Sequence, residues 1–204
     1  VVAAVLHPLP YRRAYVVKPG DVVLWQAAAG GVGLIAVQWL KALGATVIGT
    51  VGSDEKAALA REHGCDHVIV HTREDFVARV KEITKGEKVP VVYDSVGQAT
   101  FEGSLDCLRP LGTMVSFGNA SGAVPPFAPA LLTQKGSLFF TRPSVMHYVA
   151  ARADLTAGAA ELFRMVAEGK VRARVGGRWP LARAGEAQRA LADRRTTGSL
   201  LLTP

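Results

Sequence analysis

"AAAGGVG", Ala27 to Gly33, follows directly on the apolar run "VVLWQ" (Val22–Gln26). A backbone so free of side chains turns tightly and admits another group at close range. The dinucleotide fingerprint G-x-G-x-x-G sits in such a turn, between a strand and a helix. Here Ala28 occupies the first glycine position. That position needs only a small residue if its φ is negative, and alanine meets the condition. Gly30 and Gly31 let backbone N–H groups approach a pyrophosphate, while the helix start after Gly33 adds unpaired N–H donors and a positive dipole end. Gly33 also lets the helix lie close to the strand.

Outward from this turn, short β-branched runs alternate with amphipathic stretches. Strands are expected at Val22–Gln26, Thr46–Val51, His67–His71, Val89–Val96, Thr113–Gly118 and Ser137–Thr141. These are near-continuous apolar runs, as in parallel strands buried on both faces. Helices are expected near Gly33–Leu43, Asp54–His63, Glu74–Thr84 and Ala99–Leu108. In the first, Val32, Ile35, Ala36, Trp39, Leu40 and Leu43 share one face, and Gly44 closes it as a left-handed cap. Repeated βαβ units predict an α/β fold, a doubly wound parallel sheet of the Rossmann type. The last third breaks the rhythm: a long helix at Ala153–Lys170, an extended "VRARVGGRWPL", a helix in "ARAGEAQRALADR" and a closing strand "SLLL". The expected organisation is a connector over 1–20, a dinucleotide-binding domain over 21–145, and a long helix with a C-terminal segment over 146–204.

The chain's 204 residues are 49% hydrophobic and 20% charged, a balance suited to a globular core. No apolar stretch reaches the roughly 18 residues of a membrane span and no export signal opens the sequence, so the expected compartment is the cytoplasm. Cys65 and Cys107 lack metal-ligand spacing and read as buried thiols, with no metal site expected. The net charge of +7 suits an anionic partner, either nucleic acid or a phosphorylated cofactor. The arginine excess is spread out, denser after Arg142, and lacks aromatic interleaving, which argues against nucleic acid.

The tip of the second strand bears on which dinucleotide is bound. An NAD site usually carries Asp or Glu about twenty residues beyond the turn. Here Thr50, Val51, Gly52 and Ser53 occupy the tip. Asp54 and Glu55 come later and are expected to cap the next helix. The tip therefore has room for a 2′-phosphate, with Ser53 offering a hydrogen bond and Lys56 a charge. NADPH is expected over NADH, and the missing acid also weakens a methyltransferase reading. Plainer readings stand beside these: Lys56 as a solvated helix residue, His71 as a surface residue, Phe117 as packing. Trp39 reads as core, and Asp94 of "YDSVG" as a turn or cap acid rather than a proton donor.

"AAAGGVGLIAVQWLKALGATVIGTVGS", "VVYDSVG", "SFGNASGAV" and "QKGSLFFTRPS" together resemble the quinone oxidoreductase branch of the zinc-free medium-chain dehydrogenase/reductases, the zeta-crystallin-like enzymes. The resemblance runs from about Lys18 to the end. It implies a cofactor domain that carries NADPH against a GroES-like catalytic domain, with hydride passing from the nicotinamide to a quinone, an enone or a related electrophile. It assigns Ala29, Gly30, Gly31 and Val32 to the pyrophosphate and Lys56 to the 2′-phosphate. His71 falls near the adenosine phosphate, and Val96 at the tip of the fourth strand. Phe117, Gly118 and Asn119 fall on the nicotinamide side, Phe140 and Thr141 on the sixth strand, and Arg194 near the 2′-phosphate.

The resemblance further implies that most of an N-terminal catalytic domain lies outside this sequence, and that the tail from about Val171 would complete it. Val1–Pro10 carries no cysteine where zinc-dependent relatives have a ligand, in keeping with metal-free hydride transfer. No residue reads as a general acid. Relatives pair sixth strands as homodimers, and "SLFFT" would make such an edge. Two other classes stay open: a non-catalytic NADPH-binding or sensing module, and a basic RNA- or DNA-binding protein, the latter an activity known among zeta-crystallin-like relatives.

Overall fold

The computed structural model describes residues 14–193 and 196–204. Among these, six parallel strands form one sheet: β1 Val22–Trp25, β2 Thr46–Val51, β3 His67–Val70, β4 Val89–Asp94, β5 Leu108–Ser116 and β6 Phe139–Thr141. Their order is β3-β2-β1-β4-β5-β6, the doubly wound Rossmann arrangement expected from the sequence. From β1 the chain works outward to β3, then returns to the other side of β1 for β4. The carboxyl ends of β1 and β4 thus flank the switch point where such sheets take ligands.

Successive side chains of a strand point to opposite faces, and both faces are covered. Val23 and Trp25 join Leu34, Trp39 and Val91 in one cluster, while Leu24 joins Ile48, Ile69, Val92 and Met114 in the other. This double coverage is why the strands read as unbroken apolar runs.

Helices α1 Gly31–Ala42, α2 Asp54–Glu62, α3 Phe76–Ile83 and α4 Phe101–Asp106 link the strands. Helix α1 begins two residues before the expected start, so Gly30 is its N-cap and Gly31 its first residue. Gly44 closes it at φ +82, as expected. Its buried face is shifted from the expected stripe: Leu34 and Val37 are buried with Ala36, Trp39 and Leu40, while Val32, Ile35 and Leu43 are only half-buried. The cap of α2 is Ser53, whose hydroxyl accepts from Lys56 N at 3.3 Å; Asp54, expected to cap, lies inside the helix. Helix α3 starts later than expected because Asp75 caps it through Val77 N and Ala78 N. Strand β5 starts earlier, at Leu108 opposite Val89; Arg109–Leu111 then bulge outward, with Leu111 at φ +60.

Beyond β5 come α5 Ala130–Gln134, α6 Val145–Tyr148, α7 Arg152–Ala167, β7 Val175–Pro180, α8 Ala184–Ala192 and β8 Ser199–Thr203. Strands β7 and β8 pair in parallel as a separate ribbon. This tail is tied to the six-stranded sheet and its helices. Gln38 on α1 accepts from Arg172 N at 2.9 Å and donates to Arg172 O at 3.0 Å. Met165 and Val171 enter the α1-side core.

Candidate functional site

The β1 exit turn has one left-handed residue, and it is Ala27, at φ +58, rather than Ala28. Ala28 and Ala29 are buried, and a side chain on Gly49 would collide with the Ala28 methyl at 2.7 Å. Gly30 gives no side-chain cap, and the first intrahelical bond runs from Leu34 N to Gly30 O. The amides of Gly31, Val32 and Gly33 therefore lack helical acceptors and form the positive end of α1. Gly33 is needed for packing, since a Cβ there would lie 2.6 Å from the carbonyl oxygens of Ala27 and Ala28. Gly31 meets the tail: Gly30 bridges Gly198, and a Cβ on Gly31 would stand 3.1 Å from Gly198 O.

Gly52, Ser53, Lys56 and His71 gather at the β2 tip. His71 N donates to Val51 O at 3.0 Å, and its imidazole lies beside the bare α-carbon of Gly52. Lys56, half-buried, stands one turn into α2 behind Ser53. The nearest acid, Asp54, is held by Arg73 through two hydrogen bonds of 2.5 and 2.6 Å. Those bonds hold its carboxyl below the usual carboxylate range. The tip thus presents hydroxyl, ammonium and imidazole groups, with Asp54 paired to an arginine and Glu55 next to it in the first turn of α2.

Across the switch point, the loops after β4 and β5 press backbone against backbone. Val96 accepts from Ser121 N and Ser121 Oγ, both at 2.8 Å. A Cβ on Gly97 would lie 2.4 Å from Gly122 O, and one on Gly118 2.4 Å from Ser95 O. Asp94 is a turn acid, as expected: its Oδ1 accepts from Val96 N and Gly97 N, and its Oδ2 from the Thr100 and Ser104 hydroxyls. Phe117 rests on Trp25 with ring centroids 5.4 Å apart, making an apolar wall above β1. Asn119 is exposed, and Thr141 pairs with Val115. Phe140 packs against Phe127 and Phe101 on the far face of the sheet. Arg194 lies outside the described residues.

Arg142, just past β6, escaped the sequence reading. Its guanidinium donates to Ser116 Oγ at 3.2 Å, Gly118 O at 3.0 Å and Asn119 Oδ1 at 3.1 Å, clipping the exit of β5 to the exit of β6. A signal existed: a lone arginine closing an apolar edge strand. Beside it opens a cavity of about 390 Å³, lined by Ser116, Asn119, Pro125, Phe127, Phe140 and Arg142. Gln26 and Ser104 were also missed, and Thr50, expected at the exposed tip, is buried within β2. Among the described residues, no three His, Cys, Asp or Glu side chains gather as a metal site. Burial pushes the Cys65 and Cys107 thiols up to about 12, so neither is a nucleophile.

The sequence profile of a family described as "Zinc-binding dehydrogenase" matches residues 31–164. A quinone oxidoreductase of Pseudomonas aeruginosa is 51% identical over 193 residues, which cover 95% of this chain and 59% of that protein. A 2-haloacrylate reductase of Burkholderia sp. is 46% identical over 194 residues, covering 95% and 58%. The crystal structure of Escherichia coli quinone oxidoreductase complexed with NADPH superposes with a TM-score of 0.94 at 50% identity, covering 100% of this chain and 61% of that one. The chain thus spans about three fifths of the length of the relatives it matches.

Proposed function

This chain belongs to the zinc-binding dehydrogenase family, and on that premise we propose that it is the cofactor-binding portion of an NADPH-dependent oxidoreductase reducing quinones or related electrophiles. The observation that carries the reading is the β2 tip, where Ser53, Lys56 and His71 gather and the adjoining carboxylate of Asp54 is bound to Arg73. A 2′-phosphate meets donors there, where an NAD site would present a free acid to a ribose hydroxyl. When bound, NADPH supplies the hydride from its nicotinamide.

The chain's own residues bind and orient. Gly31, Val32 and Gly33 offer first-turn amides and the dipole of α1 to a pyrophosphate seated against the Ala29–Gly30 turn. Ser53 and Lys56 take the 2′-phosphate, with His71 beside the adenosine phosphate. Val96 and Phe117–Asn119 border the nicotinamide, with Trp25 backing Phe117. Rate enhancement in such a site comes from positioning, since the cofactor holds the chemistry. The 2-haloacrylate reductase relative widens the acceptor class to activated alkenes.

Residues 21–145 form the dinucleotide-binding domain in this reading, and 146–204 the segment that joins a GroES-like catalytic domain. A homodimer through β6 is supported by that strand's place at the sheet edge and by Phe139, 61% exposed on it. No described helix is long and apolar enough to cross a membrane; two unpaired, buried cysteines suit a reducing compartment, and the cytoplasm is the one proposed.

Fluorescence titration of the chain with NADPH and NADH tests the reading. NADPH is expected to bind at least about tenfold more tightly, the effect of a charge-assisted contact worth roughly 1.4 kcal/mol. Equal or tighter NADH binding overturns it. Quinone-dependent NADPH oxidation by the full-length protein tests the reaction.

A further inference from the structure

Four polar side chains lie in the apolar interior beneath the carboxyl ends of the strands: Gln26, Thr50, Asp94 and Ser104, each 1% exposed or less. They form one continuous chain. Ala27 N donates to Thr50 Oγ1 at 3.2 Å, and the Thr50 hydroxyl donates to Gln26 Oε1 at 2.5 Å. Gln26 Nε2 donates to Ser104 Oγ at 3.0 Å, and the Ser104 hydroxyl donates to Asp94 Oδ2 at 2.8 Å.

The direction of every bond follows from the inventory of protons. A carboxylate only accepts, so Ser104 must give Asp94 its one proton. Ser104 then accepts from the Gln26 amide, which turns the Gln26 oxygen toward Thr50. Thr50 uses its proton there and has lone pairs left for the Ala27 N–H. All donors run toward Asp94, whose other oxygen holds Val96 N at 2.7 Å and Gly97 N at 3.1 Å.

The two ends of this chain are the two loops of the site. One end is Ala27, the left-handed residue that opens the β1 exit turn. The other is the Val96–Gly97 turn, where Val96 O accepts from Ser121 in the loop after β5 and the adjoining Gln98 N donates to Gly122 O. Apolar side chains of the same size would fill this interior without the desolvation of four polar groups. What they would not do is fix the distance and direction between particular groups, which hydrogen bonds specify pair by pair.

We propose that Thr50, Gln26, Ser104 and Asp94 are positioning residues that hold the β1 exit turn and the β4–β5 loops at the separation one dinucleotide requires. The inference rests on the NADPH reading above. Its four side chains are buried, and the chain of bonds couples the loop that takes the pyrophosphate to the loop that borders the nicotinamide.

The test uses the full chain with Thr50→Val and Ser104→Ala, each deleting one hydroxyl with little change of shape, and Thr50→Ser, which keeps it. The probes are NADPH and adenosine 2′,5′-bisphosphate, which reaches only the adenosine side. Thr50→Val and Ser104→Ala should each weaken NADPH by about tenfold, the loss of one buried hydrogen bond, and leave the bisphosphate within about twofold. Thr50→Ser should restore NADPH binding. Without ligand, Thr50→Val should speed amide exchange at Val96 and Gly97, and Ser104→Ala at Ala27, at sites neither side chain touches. Parallel loss of both ligands, unchanged NADPH affinity, or exchange confined to the substituted residue's own neighbours each overturns the proposal. Failure of the unsubstituted chain to bind NADPH overturns the function reading, and this inference with it.

Discussion

Ala28 and Gly33 occupy two of the three fingerprint positions and tolerate opposite changes. Ala28 has no left-handed backbone to relieve, because Ala27 takes the φ of +58, and its methyl fills the gap over Gly49. Ala28→Gly is therefore expected to leave NADPH affinity unchanged and to lower stability by about 1 kcal/mol, through a freer unfolded chain and a lost buried methyl. Gly33→Ala places a Cβ 2.6 Å from two backbone oxygens, which move only if β1 moves. Overpacking of that kind costs ~1–3 kcal/mol and should weaken NADPH as well, measured by urea melts and titration. A glycine at 28 that tightened NADPH binding would contradict this account. Gly33 was legible from the spacing of the motif. The strained residue was not, since nothing local marks Ala27 over its two identical neighbours.

At the scale of elements, strand interiors were legible and their ends were not. Periodicity reports the buried run, whereas ends are set by turn chemistry and by partners across the sheet. Strand β6 shows both. Its expected start at Ser137 moves to Phe139 because Ser137 adopts φ +55 and leaves the strand, whose described length is three residues. The same element is one of the two edges of the sheet, with Phe139 61% exposed. Phe139→Lys is expected to convert the dimer proposed above to monomer in sedimentation velocity, because a charge on an edge strand blocks edge-to-edge pairing. An unchanged sedimentation coefficient would move the interface elsewhere. Ser53 and Asp54 teach the same point about helix ends: both can cap α2, but Ser53 does so through Lys56 N, and Asp54, in the first turn, pairs instead with Arg73, 19 residues away in sequence.

Across the whole molecule, alkaline pH acts on groups that folding shields. Burial pushes the Cys65 and Cys107 thiols up to about 12; burial and then Asp21 do the same for the Tyr15 phenol. Each holds its proton more tightly folded than unfolded, where thiols titrate near ~8.5 and phenols near ~10. Their contribution is whole below those unfolded values and is lost as pH rises through them toward 12. The urea midpoint should therefore fall from about pH 8.5 upward; a flat midpoint to about pH 11 would refute the shielding of these groups. By itself the sequence determined the βαβ alternation, the doubly buried strands, the β1 exit turn and the acid-free β2 tip, because each is a property of neighbouring residues. Only the tertiary structure decided that Gly198 would meet Gly31, that Arg142 would clip two loops, and that Gln26 would reach Ser104, 78 residues away. Those contacts join segments with no shared period, and a buried polar partner is chosen by where the sheet brings two side chains, which no local pattern encodes.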